Sequence, residues 1–108
     1  MNPRPIVDFE DLELVLAAPL FLLFKHSRRC GTSTRAFKQY EQFLADLDEL
    51  PTAWLDVVTQ SEWAQHVASE TGVTHESPQA LLLRDGRVEW HASHWDITVD
   101  TLREAVGA

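Results

Sequence analysis

The segment Leu20-Phe21-Leu22-Leu23-Phe24, immediately behind Pro19, constrains the fold more than any other. It is a continuous apolar run, too short for most helices, and it fits a strand buried on both faces. The chain then turns basic through Lys25-His26-Ser27-Arg28-Arg29 and reaches Cys30, its only cysteine, at the start of a helical pattern. A strand that leads through a short loop into a helix is a common way to present a reactive sulfur. The rest of the chain decides whether Cys30 is such a group or an ordinary small core residue.

On the N-terminal side, Pro3 and Pro5 keep the first residues extended, and residues 4–7 suit a short edge strand. Asp8 is placed as a helix N-cap, with Val7 and Leu12 as a hydrophobic staple and Glu10 and Asp11 at the positive end of the helix dipole. Phe9, Leu12, Val15 and Leu16 share one face, and Pro19 forces this helix to stop near Ala18. Beyond Cys30, the residues Ala36, Phe37, Tyr40, Phe43, Leu44 and Leu47 recur at helical steps from Thr34, and Asp48-Glu49-Leu50-Pro51 closes that helix. Residues 53–58 read as a second core strand. Thr59-Gln60-Ser61-Glu62 has the form of a capping box, stapled by Val58 and Trp63, for a helix that ends at Gly72.

A strand over 80–83, an Asp85-Gly86 turn and a returning strand over 87–91 form a hairpin. Thr98 caps a last helix through Val106, with Ile97 and Leu102 as its staple. The order is (β)αβαβα, a proline-containing loop, then ββα. The βαβ units imply parallel neighbours and the hairpin an antiparallel pair. The expectation is an α/β chain forming one domain over residues 1–108: a thioredoxin-like three-layer fold, with a mixed central β-sheet flanked by helices.

The formal charge of −8 argues against a nucleic-acid partner, which needs a basic footprint. No apolar run approaches the roughly 20 residues that cross a membrane, and the Met-Asn-Pro-Arg start lacks an apolar signal region, so a cytoplasmic location is expected. One cysteine excludes an internal disulfide and any metal site built from several Cys ligands. The charge is uneven. Lys25, Arg28, Arg29, Arg35 and Lys38 are more than half of the 9 Lys and Arg, and no Asp or Glu occurs between Glu13 and Glu41. An acidic protein has made a basic window around its one sulfur. Such a window is either a solvated loop or a field that lowers a thiol pKa and attracts an anion.

At a helix N-terminus, Cys30 would face unpaired backbone N–H groups and the positive end of the dipole, both of which favour a thiolate. Cys30-Gly31-Thr32-Ser33 has the spacing of a redox Cys-x-x-Cys with the second sulfur replaced by a hydroxyl, and Ser33 is expected to donate a hydrogen bond to the sulfur. With no second thiol in the chain, a mixed disulfide on Cys30 must be resolved from outside. Ser77-Pro78, just ahead of the third core strand, stands where thioredoxin-like folds carry a cis-proline facing the active cysteine. His26, His75, His91 and His94 lack metal-site spacing, so no metal is expected, and His26 and His75 read as partly buried hydrogen-bonding residues near the Cys30 loop. The four tryptophans read as core and rim aromatics.

Three motifs together resemble the YtxJ family of monothiol bacilliredoxins: Phe24-Lys25-His26-Ser27-x-x-Cys30-x-x-Ser33, then Gly72-Val73-x-His75-Glu76-Ser77-Pro78-Gln79, then Trp90-His91-Ala92-Ser93-His94-Trp95-Asp96-Ile97-Thr98. The resemblance implies a thioredoxin-like fold and removal of bacillithiol from protein mixed disulfides, with Cys30 as nucleophile. It implies no bound cofactor, a small thiol as co-substrate, and S-thiolated client proteins as partners. Bacillithiol carries a malate group with two carboxylates, and Lys25, Arg28, Arg29 and Arg35 would hold that anion. The backbone at Ser77, beside Pro78, would pair with the substrate segment. The chain departs from the family where Arg29-Cys30-Gly31 replaces the frequent Thr-Cys-Pro.

Three other readings stay open at this level. Glutathione or another small thiol could take the place of bacillithiol. Cys-Gly-Thr-Ser is similar to the Cys-Gly-Phe-Ser of monothiol glutaredoxins that carry an iron–sulfur cluster, although Ala92-Ser93-His94-Trp95 stands where those have Gly-Gly. A redox-silent thioredoxin-like binding module would have an unperturbed thiol.

Overall fold

A computed structural model describes residues 3–47 and 49–107 of the chain. Asp48, the first residue of the expected helix-closing segment, lies outside the described residues, as do Met1, Asn2 and Ala108. The apolar run extends two residues further than expected and forms the central strand β2 (Leu20–His26). In chain order the other elements are β1 (Arg4–Pro5), α1 (Phe9–Ala17), α2 (Gly31–Ala45), β3 (Thr52–Asp56), α3 (Ser61–Thr71), β4 (Gln79–Arg84), β5 (Arg87–Ser93), a 3-10 turn (His94–Asp96) and α4 (Val99–Val106). The sheet order is β1-β3-β2-β4-β5. β1, β3 and β2 run parallel, and β4 and β5 are antiparallel to their neighbours, which gives the expected mixed sheet.

Strand alternation divides the core in two. Phe21 and Leu23 of β2, with Ala53 and Leu55 of β3 and Leu81 and Leu83 of β4, pack against Leu12 and Val15 of α1 and Ala64 and Val67 of α3. Leu22 and Phe24, with Ala80 and Leu82, pack against Ala36, Tyr40, Phe43 and Leu44 of α2 and Leu102 of α4. Successive residues of a strand point to opposite faces, so each residue's parity fixes the layer it joins. The buried Tyr40 hydroxyl is satisfied by Thr52 Oγ1, which in turn donates to the Leu22 carbonyl at 2.7 Å, so α2, β3 and β2 are tied together by polar as well as apolar contact.

Several local signals act as read. Asp8 caps α1, accepting from the Asp11 amide at 2.8 Å. Thr98 and Thr101 form a capping box on α4. Gly72 ends α3 in the left-handed conformation. The start of α3 differs from expectation. Its N-cap is Gln60, not Thr59, and that side chain makes no cap bond. Instead Gln60 Oε1 accepts from the Asp56 amide at 3.0 Å and Nε2 donates to the Ile6 carbonyl at 2.9 Å. The glutamine stitches β3 to the segment after β1, a tertiary use that outcompetes the local box. No helix among the described residues is long and apolar enough to cross a membrane.

The hairpin turn between β4 and β5 has positive φ at both Asp85 (53°) and Gly86 (79°), the type I′ geometry that matches strand twist. A Cβ at Gly86 would also lie 2.7 Å from the Leu16 carbonyl oxygen. Gly31, the first residue of α2, has open space around its Cβ position and no positive φ. Gly86→Ala is therefore expected to destabilise the protein by about 2 kcal/mol or more. Gly31→Ala should leave stability unchanged or raise it by up to about 1 kcal/mol. Urea unfolding midpoints of the two variants check both signs.

Candidate functional site

β2 ends at His26, four residues later Cys30 stands as the N-cap of α2, and the helix begins at Gly31. This start is three residues earlier than the apolar periodicity indicates, because the first turn, Gly31-Thr32-Ser33, carries no apolar residue to mark it. Cys30 is partly exposed and unpaired. Its amide donates to the Ser27 carbonyl at 3.2 Å, and its carbonyl accepts from the Thr34 amide at 3.0 Å, which seats the residue on the helix end. The thiol pKa lies below its ordinary value. The chief causes are the backbone N–H groups of Ser33 and then Thr32; desolvation works the other way, and a smaller bond from the Thr32 side chain adds to the lowering. The first turn of α2 holds no acidic residue to oppose them.

Ser33 contributes through its amide and not through its hydroxyl, which corrects the expected side-chain bond to sulfur. The Ser33 side chain is fully buried. Its Oγ sits 2.8 Å from His26 Nδ1 and accepts from the Ser27 amide at 2.8 Å. In the first turn of a helix the side chain leaves on a different bearing from its own N–H, and here it turns back beneath the loop. The His26 ring is stacked on Phe37, centroids 4.5 Å apart, and meets Trp54 edge-on. Burial is the main cause of its lowered pKa.

The basic window is much less available than its sequence suggests. Arg28 is exposed, but its guanidinium donates to Asp56 Oδ2 at 2.6 Å. Asp56 ends β3 directly opposite His26, so parallel pairing brings a carboxylate into a window that has none in sequence. Arg35 donates to the carbonyls of Trp95 (3.4 Å) and Ile97 (3.0 Å) and lies 5.0 Å over the Trp95 ring, pinning α2 to the segment before α4. Lys25 is fully buried, which corrects its expected place on the anion-binding surface. Its odd position in β2 sends it to the α1/α3 face, where Nζ lies 3.2 Å from His75 Nδ1. Burial there lowers its pKa to about 8. Of the four candidate anion ligands, Arg29 is exposed and makes no ion pair among the described residues.

The Ser77–Pro78 peptide bond is cis, as expected from its position ahead of β4. Pro78 is buried, and its carbonyl accepts from the His94 amide at 3.0 Å. The antiparallel pairing of Lys25 with Gln79 puts Ser77-Pro78 at the same end of the sheet as the loop that carries Cys30. His75, read from the sequence as a partly buried hydrogen-bonding residue, is half-buried and lies against Lys25. Asp56 and Trp95 are neighbours that reading along the chain does not supply; strand register exposes Asp56, opposite His26, and the Arg35 contacts expose Trp95. No group of three or more His, Cys, Asp or Glu arranged for a metal occurs among the described residues.

The two site histidines set a pH dependence. Both His26 and His75 have pKa values below 6.5, chiefly through burial. The unfolded chain therefore binds more protons than the folded one as pH falls below about 6.5, and stability declines in that window. The urea midpoint is expected to fall between pH 7 and pH 5, and His75→Gln should reduce the size of that fall.

These features agree with what the chain is similar to. A solved protein assigned as an oxidoreductase with a thioredoxin fold superposes with a TM-score of 0.88 at 30% sequence identity, over 96% of this chain and 93% of that one. Thioredoxin from Fasciola hepatica superposes with a TM-score of 0.74 at 20% identity, over 96% of both chains. Thioredoxin from Trypanosoma brucei brucei gives a TM-score of 0.78 at 16% identity, over 98% of this chain and 88% of the other. The last two establish the thioredoxin-like fold alone. The family model described as monothiol bacilliredoxin BrxC matches residues 5–102, nearly the whole chain. With a lone thiol at the head of α2, a thioredoxin-like sheet behind it and that match along its length, the chain belongs to the monothiol bacilliredoxin family, and its role is in thiol redox chemistry.

Proposed function

We propose that the protein removes a small anionic thiol, bacillithiol in the first instance, from protein mixed disulfides by thiol–disulfide exchange at Cys30. The observation that carries this reading is the partly exposed Cys30 sulfur, held below its ordinary pKa by the Ser33 and Thr32 amides, in a chain with no other cysteine. The thiolate attacks the small-thiol sulfur of the client's disulfide. The client sulfur leaves as a thiolate and takes a proton from water, and Cys30 now holds the small thiol in a disulfide. A second small-thiol anion attacks the small-thiol sulfur of that adduct, releasing the symmetric small-thiol disulfide and the Cys30 thiolate. Each leaving sulfur on Cys30 departs into the same amide donors, so the depressed pKa helps the resolving step as well as nucleophile formation.

Arg29 is the exposed cation beside the sulfur that supports recognition of the anionic part of the small thiol. Arg28 and Arg35 support it indirectly, by holding the loop and the first turns of α2 through Asp56 and through the Trp95 and Ile97 carbonyls. The backbone at Ser77, beside the cis Pro78 and just ahead of β4, supports pairing with the client segment. A client protein carrying bacillithiol, incubated with the protein and followed by mass spectrometry, should lose its adduct as Cys30 gains one. Cys30→Ser should abolish both changes. Arg29→Glu should slow transfer about three- to tenfold at low ionic strength, with the difference fading as salt is added. No transfer from any bacillithiolated client would overturn the reading.

A further inference from the structure

His26 is the last residue of β2 and points to the α2 face, where only 8% of it is exposed. Its Nδ1 lies 2.8 Å from Ser33 Oγ. The same oxygen accepts from the Ser27 amide at 2.8 Å. A hydroxyl has one proton to donate. With one lone pair taken by Ser27 N–H, the Ser33 proton is satisfied only if it points at Nδ1, so Nδ1 must be the acceptor. If Nδ1 carried a proton, the oxygen would receive two donors, and its own proton would be left without a partner in a buried site.

These bonds close a short ring of structure. Ser27 is held to Ser33 by its amide and to Cys30 by its carbonyl, which accepts from the Cys30 amide at 3.2 Å. The Ser33 residue thus has its side chain fixed to the end of β2 while its amide faces the sulfur. The ring of His26 cannot easily swing away, because Phe37 stacks on it and Trp54 and Phe24 flank it. We infer that His26, carrying its proton on Nε2, is a positioning residue for the Cys30 thiolate: through the Ser33 hydroxyl it locks the strand-to-helix loop and keeps the Ser33 and Thr32 amides on the sulfur. The inference rests on Cys30 being the reacting thiol, and it adds the group that holds the thiolate's donors in place.

The charged groups that face His26 are Asp56 from β3, which favours its protonation, and Arg28 from the loop, which opposes it. The residues of α2 and β3 that pack on the ring, Ser33, Phe37 and Trp54, carry no charge. Burial outweighs the pull of Asp56, so the ring stays neutral to lower pH than an ordinary histidine. When Nδ1 does take a proton, Ser33 Oγ receives two donors and its own proton loses its buried acceptor, which weakens the lock on the loop. Thiolate loss on the acid side then has two causes, protonation of Cys30 and failure of its support.

The test reads the thiol directly and needs no thiol substrate. Thiolate absorbance and the iodoacetamide alkylation rate are followed against pH in wild type, His26→Phe and His26→Asn. Phenylalanine keeps the stacking and removes the acceptor; asparagine can place an oxygen near the Nδ1 position and does not titrate. The thiol midpoint is expected to rise by about one pH unit in His26→Phe, slowing alkylation at neutral pH up to about tenfold. In His26→Asn it should return to near the wild-type value and follow a single ionisation. An unchanged midpoint in a folded His26→Phe, or an equal rise in both variants, overturns the inference. Should the phenylalanine variant not fold, the long-range 1H–15N NMR spectrum of wild-type protein decides. A proton on Nε2 supports the assignment and a proton on Nδ1 overturns it. Failure of bacillithiol transfer by wild-type protein, with these titrations as expected, would instead overturn the proposed substrate and leave His26 in its role.

Discussion

The architecture depends on one strand being covered on both faces. Along β2 the side chains alternate strictly between the α1/α3 layer and the α2/α4 layer, and Leu20 to Phe24 supply apolar groups to both. The alternation continues into Lys25 and His26, so two polar residues are delivered to opposite interiors. Lys25 goes beneath the loop that precedes Pro78, and His26 goes beneath the loop that carries Cys30. The Cys30 loop and the segment before Pro78 are therefore each braced from inside by neighbouring residues of one strand. A frame this tightly packed gives the mobile chemistry of sulfur a fixed platform.

Electrostatics at the site come from dipoles more than from side-chain charge. The basic window would suggest that arginines depress the thiol pKa. The donors nearest the sulfur are instead amides at the start of α2, and the arginines spend their charge elsewhere, Arg28 on Asp56 and Arg35 on backbone carbonyls. Amides that are already fixed need no reorganisation each time the thiolate forms. An exposed ion pair would be screened by salt, whereas the first-turn amides that lower the Cys30 pKa are held in place by the helix. Replacement of the family's frequent proline by Gly31 fits this scheme. Either residue is accommodated at the first helical position, where no intrahelical partner for its N–H is required.

Much of the molecule was legible along the chain because the signals are local. Asp8, Thr98 and Gly72 act where capping chemistry puts them, and Asp85-Gly86 makes the turn its φ requirements specify. The strands and the mixed sheet followed from apolar runs and the order of elements. Gln60 shows the limit. Its neighbours spell a capping box, yet its amide is used across the fold on Asp56 and Ile6. The helix start at Gly31 was hidden because its first turn is polar, and burial patterns mark only residues that reach the core.

The sequence by itself determined that any thiol chemistry falls to Cys30 and that no disulfide can form within the chain, since there is a single cysteine. It also determined the kind and order of the strands, helices and turns, with their ends placed to within a few residues, because these depend on neighbours close in the chain. Only the tertiary structure decided what the polar residues do. The Ser33 hydroxyl is bonded to His26 and Ser27 instead of the sulfur, Lys25 is an interior residue bonded to His75, and Arg28 is the partner of Asp56. Those outcomes rest on strand register and on which face each side chain leaves from. Partners such as Lys25 and His75, or Arg28 and Asp56, lie far apart in the chain, and pairing of that kind is written in the packing of the sheet.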